Sequence, residues 1–152
     1  MFMCAPLLDR APNKLFVSYS RKQKAFAGWL FRQVNGSPIY ACFLDEVDLL
    51  PGQVLLSALR EAIAGVDVVL LSCSRDALAS HWVGQEIEAC LGSEKATGRT
   101  KLIPLLLESF KFEEGYASLN DRIQAEFREW PNERSGVELE RLRQAIELHM
   151  AR

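Results

Sequence analysis

Cysteine, histidine, proline and glycine are all scarce in this chain: four, two, six and nine among 152 residues. Cys4, Cys42, Cys73 and Cys90 stand far apart with no Cys-x-x-Cys pair, which argues against both a disulfide framework of the small secreted kind and a cysteine zinc site. Buried reduced thiols are the expectation. His81 and His149 have no ligand-spaced partner, so no metal is expected. A marked excess of one charge is missing too. Eighteen basic residues face twenty acidic ones, which excludes a surface built to coat nucleic acid. No run reaches the roughly 18 uninterrupted apolar residues of a membrane span. The first twelve residues, with Asp9 and Arg10 close behind a short apolar patch, do not have the pattern of a signal peptide. The expectation is a cytoplasmic protein without nucleic-acid or membrane partners, in which residues 1–13 are an extension and residues 14–152 one domain.

What is present is apolar and evenly spread, at 49% hydrophobic and 25% charged, enough for an ordinary single core and too much for disorder. Four short apolar runs stand out: Lys14–Tyr19, Ile39–Leu44, Val66–Ser72 and Lys101–Leu107. They are continuous rather than alternating, as expected of strands covered on both faces. Between them, Phe26, Trp29, Leu30 and Val34 share one helical face, and so do Leu55, Leu59, Ala62 and Ile63, and then Val83, Ile87 and Leu91. Strands alternating with helices at these spacings imply βαβ crossovers and a parallel sheet. Pro104 interrupts the fourth run and predicts an edge strand or a bulge there. The stretch from Glu108 to Pro131 is expected to hold a short fifth strand or helix. Leu139, Leu142, Ile146 and Met150 then mark a last helix starting near Ser135-Gly136.

Open parallel sheets bind ligands beyond the carboxyl ends of their strands. Neither a Gly-x-Gly-x-x-Gly fingerprint nor a Gly-x-x-x-x-Gly-Lys-Ser/Thr loop is present, which disfavours a redox Rossmann enzyme and a P-loop NTPase. A phosphate-receiver domain needs acidic residues at the end of its first strand, where this chain has Ser18, Tyr19 and Ser20. After the third run, Trp82 and Glu86 lie four residues apart on a helix, at the edge of the stripe formed by Val83, Ile87 and Leu91. An indole beside a carboxylate can stack on and polarise a small molecule, although the same pair also fits an ordinary boundary tryptophan beside a solvated acid.

Four segments in register then carry a resemblance. Phe16-Val17-Ser18-Tyr19-Ser20, Phe43-Leu44-Asp45 with Asp48-Leu49-Leu50-Pro51-Gly52, Leu70-Leu71-Ser72, and Ser80-x-Trp82-Val83-x-x-Glu86 together resemble a Toll/interleukin-receptor (TIR) domain from about Lys14 to Leu107. The compact loops look like bacterial members, many of which carry an aspartate where this chain has Gln23. The resemblance implies an α/β, flavodoxin-like three-layer fold around a parallel sheet of about five strands. It implies cleavage of NAD+ at the nicotinamide–ribose bond, in bacterial immune (anti-phage) signalling, with NAD+ consumed as substrate and no cofactor. By position, Glu86 matches the catalytic glutamate; Ser18, Tyr19, Ser20 and Arg21 match the substrate-facing loop after strand one, and Asp45 and Trp82 match further substrate-facing positions. Asp48, Leu49, Leu50, Pro51 and Gly52 match the loop that gates the site and mediates assembly with other TIR domains. A fused or separate sensor module is implied as a further partner. The chemistry is sensible: the departing neutral nicotinamide needs no general acid, and one carboxylate stabilises the oxocarbenium-like ribose left behind. The alternative is a non-catalytic TIR scaffold acting by homotypic association.

Overall fold

Apolar runs that do not alternate need cover on both faces, and the structure supplies it with helices. The computed structural model describes residues 14–19, 21–35, 41–44, 55–78, 81–109, 119 and 122–150. Five strands, β1 (Lys14–Ser18), β2 (Ala41–Leu44), β3 (Val68–Cys73), β4 (Leu102–Leu106) and β5 (Ala125–Glu126), make one sheet in the order β2-β1-β3-β4-β5. Every ladder is parallel, with Phe16 beside Phe43 and Val69, and Leu70 beside Ile103. Helices α1 (Lys24–Asn35), α2 (Leu55–Ala64), α3 (Arg75–Leu78), α4 (His81–Thr97) and α5 (Ser135–Met150) connect and close it. The expected α/β three-layer architecture is therefore observed, fifth strand and last helix included.

Alternation along each strand divides the interior in two. On one face Leu15, Val17, Leu70 and Leu105 meet Phe26, Leu30 and Val34 of α1 and Leu139, Leu142 and Ile146 of α5. On the other, Phe16, Val69, Leu71 and Cys73 meet Ile63 of α2, Ile87 and Cys90 of α4, and Leu119. The helical periodicity read from the sequence chose the correct inward residues in α1. An aromatic cluster seals that face: the Phe26 ring lies 5.2 Å from Phe127 and 5.3 Å from Trp130 between centroids, and Trp29 packs on both. Cys73 and Cys90 are buried reduced thiols, as expected, while Cys4 lies outside the described residues.

Pro104 is not on an edge strand. It sits in β4, between β3 and β5, paired in register with Leu71. The carbonyl of Lys101 and the amide of Leu107 bond towards β3, whereas the Leu106 carbonyl accepts from Phe127 on the β5 side. Residue 104, two before 106, therefore turns its missing N–H towards β5, whose pairing begins only at Leu105. The proline costs no ladder bond. Leu102 faces the same open side, where Glu94 Oε2 accepts its amide at 2.8 Å and Arg122 Nη1 donates to its carbonyl at 3.0 Å.

Helix ends are closed by specific groups. Gly98, at φ +73°, takes the left-handed turn that ends α4, its amide donating to the Glu94 carbonyl at 2.8 Å. The Lys101 ammonium, almost fully buried, donates to the carbonyls of Ile63, in the last turn of α2, and of Val66 just beyond it. Asn132 Oδ1 accepts the Arg134 amide ahead of α5, and Glu138 in its first turn accepts the Glu126 amide at 2.6 Å, tying that helix to β5.

Candidate functional site

β1 lies between β2 and β3, and its last residue, Ser18, is paired in register with Leu71 of β3. Leu15 and Val17 point to the α1–α5 face and Phe16 to the other, which sends Ser18 towards α4. Ser18 is fully buried there. Its hydroxyl donates to Glu86 Oε1 at 2.5 Å, a length typical of a charge-assisted bond to a carboxylate. Glu86 is on the second turn of α4 and only 1% exposed.

This corrects the expectation from spacing. The helix pattern put Glu86 at the boundary of the apolar stripe; in the structure it is inside, one position before Ile87 and four before Cys90, both fully buried. The reason is the strand above it. A serine at the end of β1 offers a polar partner at core depth, so the carboxylate descends to it instead of turning to water. Burial raises the Cys90 thiol to about 12, with the neighbouring Glu94 and Glu86 carboxylates adding to the effect against Lys101 and Arg122. Burial likewise pushes Cys73 up to about 12. Both remain protonated and unreactive at neutral pH.

A hollow of about 710 Å³ opens at the carboxyl ends of β4 and β5 and the start of α5, away from Glu86, lined by Glu126, Arg128, Arg134, Glu138 and Arg141 among others. Its charges are largely matched internally: Arg128 Nε donates to Glu126 at 2.6 Å and Arg141 Nη1 to Glu138 at 2.8 Å. Among the described residues no group of three or more His, Cys, Asp or Glu is arranged to hold a metal ion.

The order β2-β1-β3-β4-β5, with a buried carboxylate beneath the end of β1, is the setting in which the comparisons become informative. A family model described as "TIR domain" matches residues 15–143. The chain belongs to the TIR domain family. Solved structures with the same fold include the TIR domains of the activated Roq1 resistosome, which directly recognises the pathogen effector XopQ. That match has 15% identity and a TM-score of 0.68, over 88% of this chain and 99% of that one. The TIR domain of the Toll-related receptor TRR-2 from Hydra magnipapillata follows at 14% and 0.64, over 88% and 97%. The RPS4–RRS1 TIR domain heterodimer matches at 10% and 0.62, over 92% and 99%. No curated protein sequence matches.

Within this TIR domain the expected site residues fall as follows. Glu86 is on α4 beneath the end of β1, and the backbone of Trp82 is on the first turn of the same helix. Tyr19 directly follows β1, half-buried, and packs against the α1–α5 cluster, on the opposite face of the sheet from Glu86. The backbone of Arg21 opens a short 3₁₀ turn ahead of α1. Ser20, Asp45, Asp48, Leu49, Leu50, Pro51 and Gly52 lie outside the described residues. Ser18 is the partner that spacing did not single out. Its signal was available: alternation from Phe16 puts residue 18 on the face that the Glu86 helix covers.

Proposed function

We propose that this TIR domain cleaves NAD+ at the nicotinamide–ribose bond with Glu86 as the catalytic carboxylate. The observation that carries the reading is the placement of Glu86, 1% exposed and hydrogen-bonded to Ser18 beneath the carboxyl end of a central parallel strand. That is the end where sheets of this kind bind ligands. Out of water, a carboxylate acts on developing positive charge far more strongly than a solvated one. The C1′–nitrogen bond breaks, its electron pair leaves with neutral nicotinamide, and the carboxylate stabilises the cationic ribose. Water adding at C1′ and losing a proton gives ADP-ribose; an internal nucleophile of the same nucleotide gives a cyclic isomer. NAD+ is consumed as substrate.

In this reading Tyr19, Ser20, Arg21, Asp45 and Trp82 contact the nucleotide, and the Asp48–Gly52 loop brings TIR domains together for activity. The structural relatives include a resistosome that recognises a pathogen effector and a TIR heterodimer. Those settings support self-association and a part in immune signalling; the reading adds that the domain acts in a bacterial cytoplasm, in anti-phage defence, switched by a fused or separate sensor. The test is release of free nicotinamide from NAD+ under crowding. Glu86→Gln keeps an acceptor for Ser18 and removes the charge, and is expected to lower turnover at least ~100-fold with the fold intact. Undiminished turnover in a variant with native circular dichroism overturns the reading in favour of a non-catalytic scaffold.

A further inference from the structure

We infer that Ser18 is the positioning residue of this site: its hydroxyl holds the Glu86 carboxylate in one orientation and in its anionic form. The inference rests on the NAD+-cleavage reading above and goes beyond it, because it assigns to a strand residue the control of the carboxylate's geometry and charge.

Three observations carry it. Ser18 is anchored at the end of β1, with Leu71 of β3 directly beside it in register and the preceding Val17 paired to β2. Its side chain is fully buried, so water does not compete for its one proton, which goes to Glu86 Oε1 at 2.5 Å. A serine in this region does not acquire a partner automatically. Ser72, equally buried near the end of the neighbouring strand but on the other face, has no hydrogen-bond partner for its Oγ among the described residues. Glutamate has three side-chain torsions, and a donor fixed to the sheet removes their freedom before substrate arrives. A hydrogen bond to the ionised form also favours that form, opposing the effect of burial.

The surroundings make the effect readable. One turn further along α4, the Cys90 thiol couples in charge to Glu86, and β3 presents Cys73 on the same face. Both thiols are pushed up to about 12, chiefly by burial, and stay neutral across the range in which a carboxylate titrates. Glu94, Lys101 and Arg122 gather two turns further along α4, around the amino end of β4. An acid limb in the rate profile is assigned to Glu86 where it coincides with the NMR titration of that carboxylate.

The experiment compares the full chain with Ser18→Ala and Ser18→Thr, measuring kcat and KM for NAD+ against pH. In parallel, the Glu86 carboxylate is titrated by carbon-13 NMR, which needs no turnover. Ser18→Ala is expected to lower kcat roughly 10- to 100-fold with little change in KM. It should also move both the acid limb and the NMR titration up by about one pH unit. Ser18→Thr, which keeps the hydroxyl, restores most of the rate. A Ser18→Ala protein that is folded, with an unmoved Glu86 titration and an unmoved acid limb, overturns the inference. If the parent chain itself releases no nicotinamide, it is the cleavage reading that fails. The NMR titration then decides the Ser18–Glu86 pairing alone, an upward shift supporting it and no shift refuting it.

Discussion

Serines buried at the carboxyl ends of β1 and β3 show how a single hydroxyl can take opposite roles. Ser18 donates to Glu86, whereas Ser72, fully buried on the α1–α5 face, finds no hydrogen-bond partner among the described residues. A buried hydroxyl without a partner costs on the order of 1–3 kcal/mol. Ser72→Ala is therefore expected to stabilise the domain by about 1 kcal/mol, raising the thermal midpoint by a few degrees. A urea titration checks it, and a loss of stability would show that Ser72 has a use of its own. At this scale the sequence disclosed chemistry better than depth. The four-residue spacing of Trp82 and Glu86 singled out the carboxylate, but helical periodicity ranks residues only around one axis. How far Glu86 sinks depends on what β1 places above it, and that is a property of two segments 68 residues apart.

Within single elements, β4 is the instructive case. Its apolar run was legible, and Pro104 pointed to an edge, because a proline removes a ladder donor. The structure keeps the strand inside the sheet by turning that gap to the side where β5 has not begun. The same open stretch is closed by side chains. Glu94 Oε2 accepts the amides of Lys101 and Leu102, each at 2.8 Å, while Arg122 binds both Glu94 oxygens and the Leu102 carbonyl. Burial alone would raise the Glu94 carboxyl. The Arg122 hydrogen bond, the two amides and the Arg122 charge outweigh it and hold the group below its ordinary 4.5. A carboxyl lowered by folding contributes stability above its unfolded value and loses it as pH falls through the folded one. Glu94→Gln is accordingly expected to be less stable than the parent at pH 7, by about 2 kcal/mol. The difference should shrink steadily below pH 4.5; denaturant melts that keep the same gap in acid would exclude Glu94 as the closing group. No sequence period announces such a clamp, since it joins a helix, a strand and a loop residue whose meeting depends on the finished sheet.

For the molecule as a whole, the parallel sheet and its two helical layers were legible, because continuous apolar runs and alternating helical faces restrict the topology to a few possibilities; the strand order came from the structure. The proposed assembly belongs to this scale. Val47, Leu49 and Leu50 are close in sequence between β2 and α2, in a stretch outside the described residues. Apolar side chains grouped on a strand-to-helix connection are a recognised mark of contact with a partner. If that loop joins protomers around the Glu86 site, NAD+ cleavage rises faster than linearly with protein concentration. Leu49→Glu is expected to abolish that upward curvature while leaving the monomer folded. Specific activity that stays constant over a hundredfold dilution series, and is unchanged by Leu49→Glu, would rule the assembly out.

The division of the interior into two clusters has a consequence for how the chain leaves the ribosome. Among the described residues, the cluster under α2 and α4 draws on nothing later than Leu119, so it can close before α5 is made. The cluster under α1 cannot, because Phe127, Leu139, Leu142 and Ile146 belong to it. Synthesis at roughly 5–20 residues per second leaves that side of the sheet, with Leu15, Val17, Leu70 and Leu105, covered by α1 alone for seconds. Until α5 emerges, the nascent domain has one closed face and one half-covered face, and the apolar surface that α5 will seal is open to a chaperone or a neighbouring chain.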